Sequence, residues 1–125
     1  MKPKTILLIE DNEQNRYLAT FLLERHGFKV LSASDGRLGI EAAKSLVPDL
    51  ILLDIQLPAM DGYAVTQNLR DIQSLKHVPI IAVTAYAMVG DREKCLAAGC
   101  DGYIEKPINP DTFVVEIGKY FDSPS

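Results

Sequence analysis

The sequence predicts an α/β domain in three layers: an open, doubly wound, five-stranded parallel sheet with five helices packed over its two faces. Three observations predict it. Short apolar runs alternate with stretches of helical periodicity along the 125 residues, the pattern of strands joined by right-handed helical crossovers. The run Leu50-Ile51-Leu52-Leu53 is apolar at every position, as suits a strand covered on both faces; a strand with one wet face alternates. Five strand–helix units are too few for the eight that close a parallel barrel, so the sheet stays open.

Thr5-Ile6-Leu7-Leu8-Ile9 is the first strand and ends at Glu10-Asp11. A helix opens at Asn12, with Asp11 or Asn12 as its cap and Leu18, Phe21 and Leu22 as its apolar positions; Gly27 is placed to stop it. Phe28 to Ala33 reads as the second strand. After Asp35-Gly36 a weaker helix puts Ile40, Ala43 and Val47 on one face, until Pro48-Asp49 breaks it. The third strand is the apolar run, and it leads straight into Asp54. Beyond Ile55-Gln56-Leu57-Pro58, Asp61-Gly62 marks a turn. The third helix carries Val65, Leu69 and Ile72. Val78-Pro79 introduces the fourth strand, Ile80 to Val83, which ends at Thr84. Asp91 to Ala98 is a short helix closed by Gly99. Gly102 to Glu105 is the fifth strand, ending at Lys106-Pro107, and a last helix starts near Pro110 and aligns Phe113, Ile117, Tyr120 and Phe121.

Composition narrows the function. With 47% hydrophobic and 24% charged residues the chain is an ordinary globular domain. A net charge of −4 argues against binding nucleic acid or an anionic membrane surface. No apolar run approaches the roughly 20 residues of a membrane span, which points to a cytoplasmic protein. Cys95 and Cys100 form neither a disulfide framework nor a zinc pattern and read as small residues around a helix C-terminus. His26 and His77 have no metal pattern or catalytic partner and read as surface or helix-end residues.

The chemistry collects at one edge. In an open parallel sheet, ligands bind beyond the carboxyl ends of the strands. The residues at those ends are Glu10, Asp11, Asp54, Thr84 and Lys106. Taken singly, each has a plain structural role: a cap, a turn residue, a strand terminus, a solvated lysine. Together they bring three carboxylates into one crevice, where a pair about 5 Å apart repels by roughly 3 kcal/mol at an effective dielectric near 20. Such a cluster calls for a cation, and an all-oxygen set suits Mg²⁺, which keeps positions open for phosphate oxygens. A carboxylate beside that ion is also a competent nucleophile toward a phosphoryl group. No glycine-rich nucleotide cradle accompanies it.

The segments Ile9-Glu10-Asp11-Asn12, Leu53-Asp54-Ile55-Gln56-Leu57-Pro58 with Asp61-Gly62, Ala82-Val83-Thr84-Ala85 and Tyr103-Ile104-Glu105-Lys106-Pro107 resemble the receiver domain of two-component response regulators. The likeness runs from Lys4 to about Phe121. Within that family the chain is most similar to the stand-alone, single-domain type that includes a cell-division regulator; Ala82 to Met88 and Gly99-Cys100 carry this closer likeness. The resemblance implies a flavodoxin-like strand order 2-1-3-4-5 and one receiver domain over residues 1–125 without an output domain. It implies that Asp54 is the phosphoacceptor. Asp11, Asp54 and the Gln56 backbone carbonyl would bind Mg²⁺, for which Mn²⁺ could substitute, with Glu10 acting through water. Lys106, Thr84 and the Ala85 backbone N–H would hold the phosphoryl oxygens. Thr84 and Tyr103 would form the switch, and Lys106–Pro107 would be a cis peptide.

The expected function is therefore a phosphorylation-driven switch, not an enzyme beyond its own phosphorylation and dephosphorylation. The partners implied are a sensor histidine kinase or histidine phosphotransfer protein, docking near Asn15 and Leu18, and a downstream protein target. A monomer or a phosphorylation-dependent dimer fits. A phosphorelay shuttle, passing the group to a second phosphotransfer protein, is the alternative. A haloacid-dehalogenase-like phosphohydrolase also uses an aspartyl nucleophile, but it places an acid/base Asp two residues later, where this chain has Gln56. A flavodoxin-like redox protein would need a Ser/Thr/Gly phosphate loop after the first strand.

Overall fold

The computed structural model describes residues 3–56, 61–84 and 90–121, with Asp91 described by its backbone alone. Leu57 and Pro58, Ala85 and its neighbours to Met88, and the tail from Asp122 lie outside the described residues. The elements run β1 (Thr5–Ile9), α1 (Glu13–Arg25), β2 (Lys29–Ala33), α2 (Gly36–Leu46), β3 (Leu50–Asp54), α3 (Gly62–Arg70), a 3-10 turn (Gln73–Leu75), β4 (Ile80–Thr84), α4 (Asp91–Ala98), β5 (Gly102–Glu105) and α5 (Phe113–Phe121). All strand pairings are parallel, in the order β2-β1-β3-β4-β5. This is the expected flavodoxin-like arrangement.

Alternate side chains of the central strands feed two separate cores. Leu7, Ile9, Ile51, Leu53, Ile80 and Ala82 face α2, α3 and α4 through Ala43, Val65, Leu69 and Cys95. Ile6, Leu8, Leu50, Leu52, Ile81 and Val83 face α1 and α5 through Ala19, Leu22, Leu23, Phe113 and Ile117. Hence β3 and β4 are buried at every position. Each such Leu or Ile contributes about 1.5–3 kcal/mol of transfer free energy, so these two strands are the rigid centre from which the site projects.

Four helix details differ from expectation. α3 ends at Arg70, so Ile72 lies beyond it and precedes the 3-10 turn. The sheet-facing stripe of α1 is Ala19, Leu22 and Leu23, while Leu18 and Phe21 are exposed. The i, i+3, i+4 spacing centres on the alanine, and the larger residues drew attention to the wrong face. Val47 is exposed rather than on the inner face of α2, with a left-handed φ of 42°. Pro48 disfavours the helical conformation for the residue before it, so the helix ends at Leu46. The last helix begins at Phe113, not near Pro110, because Asn109 folds the chain into a turn first. Its side-chain oxygen accepts from Asp111 N (2.9 Å) and its carbonyl from Thr112 N (3.1 Å) and Phe113 N (2.9 Å).

One glycine fixes the approach to the site. Gly62 opens α3 and donates its N–H to Ile55 O at 3.1 Å. A Cβ there would lie 2.5 Å from Ile55 Cα and 2.6 Å from Ile55 O, both backbone atoms that cannot step aside. Gly62→Ala should therefore lower stability by about 1–3 kcal/mol, the usual range for overpacking. A urea titration reads this directly, and an unchanged midpoint would refute so tight an approach.

Candidate functional site

Asp54 is the last residue of β3, paired in register with Val83. Its residue is only 3% exposed, yet both carboxylate oxygens are engaged. Oδ1 accepts from the Gln56 backbone N–H at 2.9 Å and Oδ2 from the Lys106 ammonium at 3.1 Å. A buried carboxylate is tolerable only with such partners. The sheet ladder continues past the strand ends and delivers them. Ile55 N donates to Val83 O (3.1 Å) and turns the chain after Asp54, while Lys106 N donates to Thr84 O (2.8 Å) and sets the lysine beside the end of β4.

Glu10 sits at the end of β1 in the same manner. Its N–H extends the ladder to Ala33 O at 3.0 Å, and its side chain is buried. Oε1 accepts from Lys106 at 3.0 Å and Oε2 from the Asn12 N–H at 3.2 Å. Lys106 thus bridges two buried carboxylates from different strands. Asp11 is exposed at the rim. One oxygen from each of Glu10, Asp11 and Asp54 can be chosen so that all three lie within 4.8 Å of one another. Thr84 is buried at the end of β4, opposite Glu105. Tyr103 is half-buried against the first core and lines the clefts between β5 and α5. The Lys106–Pro107 peptide is cis. Glu10, Asp11, Asp54, Gln56, Thr84 and Lys106 therefore gather at one edge; the Ala85 N–H lies outside the described residues.

Among the described contacts one ammonium pairs with two buried carboxylates, and the acid–base balance registers the deficit. Burial, then the hydrogen bond and charge of Asp54, push the Glu10 carboxyl up to about 7 against the help of Lys106. Burial would lower the Lys106 ammonium, but the Glu10 hydrogen bond and the charges of Asp54 and Glu10 outweigh it, and the net shift is upward. The unfolded chain releases the Glu10 proton near 4.5, whereas the metal-free folded protein holds it to about 7. Between those values the folded state binds more protons, so stability falls as pH rises through that window. In chelator, the melting temperature should drop by several degrees from about pH 5 to about pH 8. Glu10→Gln should largely remove the drop, and equal drops in both proteins would refute this origin.

The donor set fits a small divalent cation. Its oxygens are all hard carboxylate ligands, the acid that contributes one of them is exposed, and all three lie within 4.8 Å of one another, near enough to share one ion. Sequence reasoning found these residues because each ends a strand. It missed Arg16, whose Nη1 donates to the Glu10 carbonyl at 2.9 Å from the first turns of α1. The available signal was a basic residue one helical turn after the capping Asn12.

Known proteins resemble the chain in sequence and fold. The chain is 43% identical over 118 residues to the polar-differentiation response regulator DivK of Brucella anthropi, covering 94% of this chain and 96% of that protein. The DivK protein of Brucella ovis gives the same identity over 117 residues, 94% of this chain and 95% of that one. Among solved structures, the receiver domain of the sensor histidine kinase PA1611 of Pseudomonas aeruginosa superposes with a TM-score of 0.89 at 36% identity, over 97% of this chain and 99% of that one; it has a magnesium ion coordinated in its active site cleft. The chemotaxis protein CheY4 of Vibrio cholerae superposes at 0.90 with 25% identity, over 94% and 98%. Residues 6–117 match the family model described as the response regulator receiver domain, and with β1 to α5 carrying the acidic cluster at one sheet edge, the chain belongs to that family of signalling domains.

Proposed function

We propose that Asp54 accepts a phosphoryl group from the phosphohistidine of a sensor kinase or phosphotransfer protein, and that the chain signals in the cytoplasm by changing the surface it offers to a protein target. The single observation behind this is the state of the Asp54 carboxylate: buried, aligned by the Gln56 N–H, and held by Lys106 beside two further acids. An Asp54 oxygen attacks the phosphorus; the P–O bond forms as the P–N bond breaks, and the imidazole nitrogen leaves with its electron pair. Lys106 then has a phosphoryl oxygen to bind in place of a carboxylate.

Glu10, Asp11 and Asp54, with the Gln56 carbonyl, are the groups that would hold Mg²⁺. Bound there, the ion would supply charge neutralisation for the transferring group. This assignment is supported by the donor set and by the magnesium in the PA1611 receiver. No helix among the described residues is long and apolar enough to cross a membrane, as a freely diffusing partner of kinases requires. The match to DivK, a response regulator by name, over nearly that protein's full length supports a signalling role.

The coupling element on this reading is Thr84 with Tyr103. Thr84 ends β4 one strand away from β5, where Tyr103 lies three residues before Lys106 and faces the β5–α5 clefts. A phosphoryl group on Asp54 draws the Thr84 hydroxyl, and Tyr103 takes up the space released. Thr84→Ala should keep Mg²⁺ affinity while losing the phosphorylation-dependent gain in partner binding. A gain equal to wild type would remove Thr84 from the coupling. The acceptor itself is tested by peptide mapping after treatment with acetyl phosphate and Mg²⁺: one phosphoryl adduct is expected, on Asp54, and none in Asp54→Asn. Label persisting in Asp54→Asn would mean another acceptor.

A further inference from the structure

We infer that Arg16 is a positioning residue for the metal-binding end of the site, an assignment that rests on the reading of Glu10, Asp11 and Asp54 as the cation ligands. Arg16 touches none of the three carboxylates by any described hydrogen bond. Its Nη1 instead donates to the backbone carbonyl of Glu10, the peptide that joins Glu10 to Asp11. That peptide follows the last residue of β1, where the sheet ladder stops constraining the chain. The Glu10 N–H is still held by Ala33 O at 3.0 Å, and the Asn12 N–H by the Glu10 side chain at 3.2 Å. The carbonyl between them has only Arg16 among the described contacts.

The two acids on either side of this peptide have opposite environments. Glu10 is buried and clamped by Lys106, whereas Asp11 is exposed and accepts no described hydrogen bond. Asp11 can reach the common ligand position only if its backbone is already fixed. The Arg16 guanidinium supplies that fixation from α1, whose own start is tied down by the Asn12 cap on Asn15 N at 2.9 Å. The half-buried arginine lines a cleft with Ser32 and Ser34 at the end of β2 and Leu38 at the start of α2. A guanidinium carries its charge on a planar fork of donors, whereas an ammonium is a point charge. Position and charge make different predictions for a lysine in its place.

The experiment is calorimetric titration of Mg²⁺ into unphosphorylated protein, paired with the Mg²⁺ dependence of labelling by acetyl phosphate. Arg16→Met should weaken Mg²⁺ by about tenfold, in the range seen for groups that orient metal ligands. The half-saturating Mg²⁺ for labelling should move by the same factor, with the saturated rate within about twofold of wild type, since Arg16 does not face the phosphoryl group. Arg16→Lys keeps the charge without the fork and should remain several-fold weak; full recovery by lysine would show that charge alone matters and overturn the positioning role. Asp11→Asn is the control and should lose Mg²⁺ binding. Arg16→Met and Arg16→Gln both binding Mg²⁺ like wild type while Asp11→Asn does not would overturn Arg16 alone. Failure of the wild type to bind Mg²⁺ would overturn the ligand reading and this inference with it.

Discussion

Lys106→Met should lower the stability of the metal-free protein by about 3 kcal/mol at pH 8, within the range for removing one partner of a buried ion pair. The lysine is the one described cation paired with the Asp54 and Glu10 carboxylates, at 3.1 and 3.0 Å, and its side chain is 15% exposed against 4% and 5% for theirs. Methionine fills a similar volume, so packing changes little and the loss is electrostatic. Two buried carboxylates are left with the Gln56 and Asn12 N–H groups as their described donors. Glu10, already pushed up to about 7, is raised further without the ammonium. The penalty should therefore shrink at acid pH, where Glu10 carries a proton. In urea this reads as a midpoint lower by about 1–3 M at pH 8.

Millimolar Mg²⁺ should restore part of the loss in Lys106→Met, because a cation that binds only the folded cluster replaces the missing charge. It should not restore the phosphorylation-dependent gain in partner binding, because the lysine has a second task. On the proposed mechanism its ammonium follows the new charge from the carboxylate to the phosphoryl oxygen. A variant as stable as wild type in chelator would mean the two acids are solvated and the described pairing unimportant. A variant that still switches would leave Lys106 with a stabilising role only.

The fold was legible because β3 and β4 carry no polar residue before their ends, and two-sided burial is the only environment that tolerates such runs. The site was legible for a related reason. A carboxylate that directly follows four buried aliphatic residues, as Asp54 does, is positioned by the strand and needs a partner. Glu10, Thr84 and Lys106 end or follow their own strands, so parallel topology alone gathers them. Helix faces were harder. In α1 the inner stripe is built on Ala19, whose small side chain gives little signal, while the conspicuous Tyr17 and Phe21 stack on each other in solvent with ring centroids 6.4 Å apart. Contacts from a side chain to backbone carbonyls outside its own helix leave no hydrophobic periodicity to read. Arg16 and Arg70 are two such cases among the described residues.

Arg70→Ala should lower stability by about 2–3 kcal/mol without altering Mg²⁺ binding or phosphorylation. Arg70 ends α3 at the sheet edge opposite Asp54, and its guanidinium gathers three segments. Nε donates to Gly99 O at 2.8 Å, and Nη1 to Leu75 O at 3.0 Å and Val78 O at 2.8 Å. Nη2 pairs with Asp101, whose carboxylate also accepts from the Ile80 N–H at 2.9 Å. The arginine thereby ties the end of α3 to the entry of β4 and to the turn between α4 and β5. Bonds from a charged donor contribute about 1.5–3 kcal/mol each when their loss leaves acceptors dry, but the arginine side chain is 19% exposed and water can recover some of them. The Asp101 pair itself is half in solvent and contributes about 0–1 kcal/mol. Asp101→Asn should accordingly cost much less than Arg70→Ala, and Arg70→Lys should rescue little, because an ammonium cannot span carbonyls on two separate segments. Urea titrations of the three variants rank these effects. If Asp101→Asn proved as costly as Arg70→Ala, the ion pair and not the carbonyl network would hold this edge, and if Arg70→Ala weakened labelling of Asp54, the two ends of the sheet would be coupled.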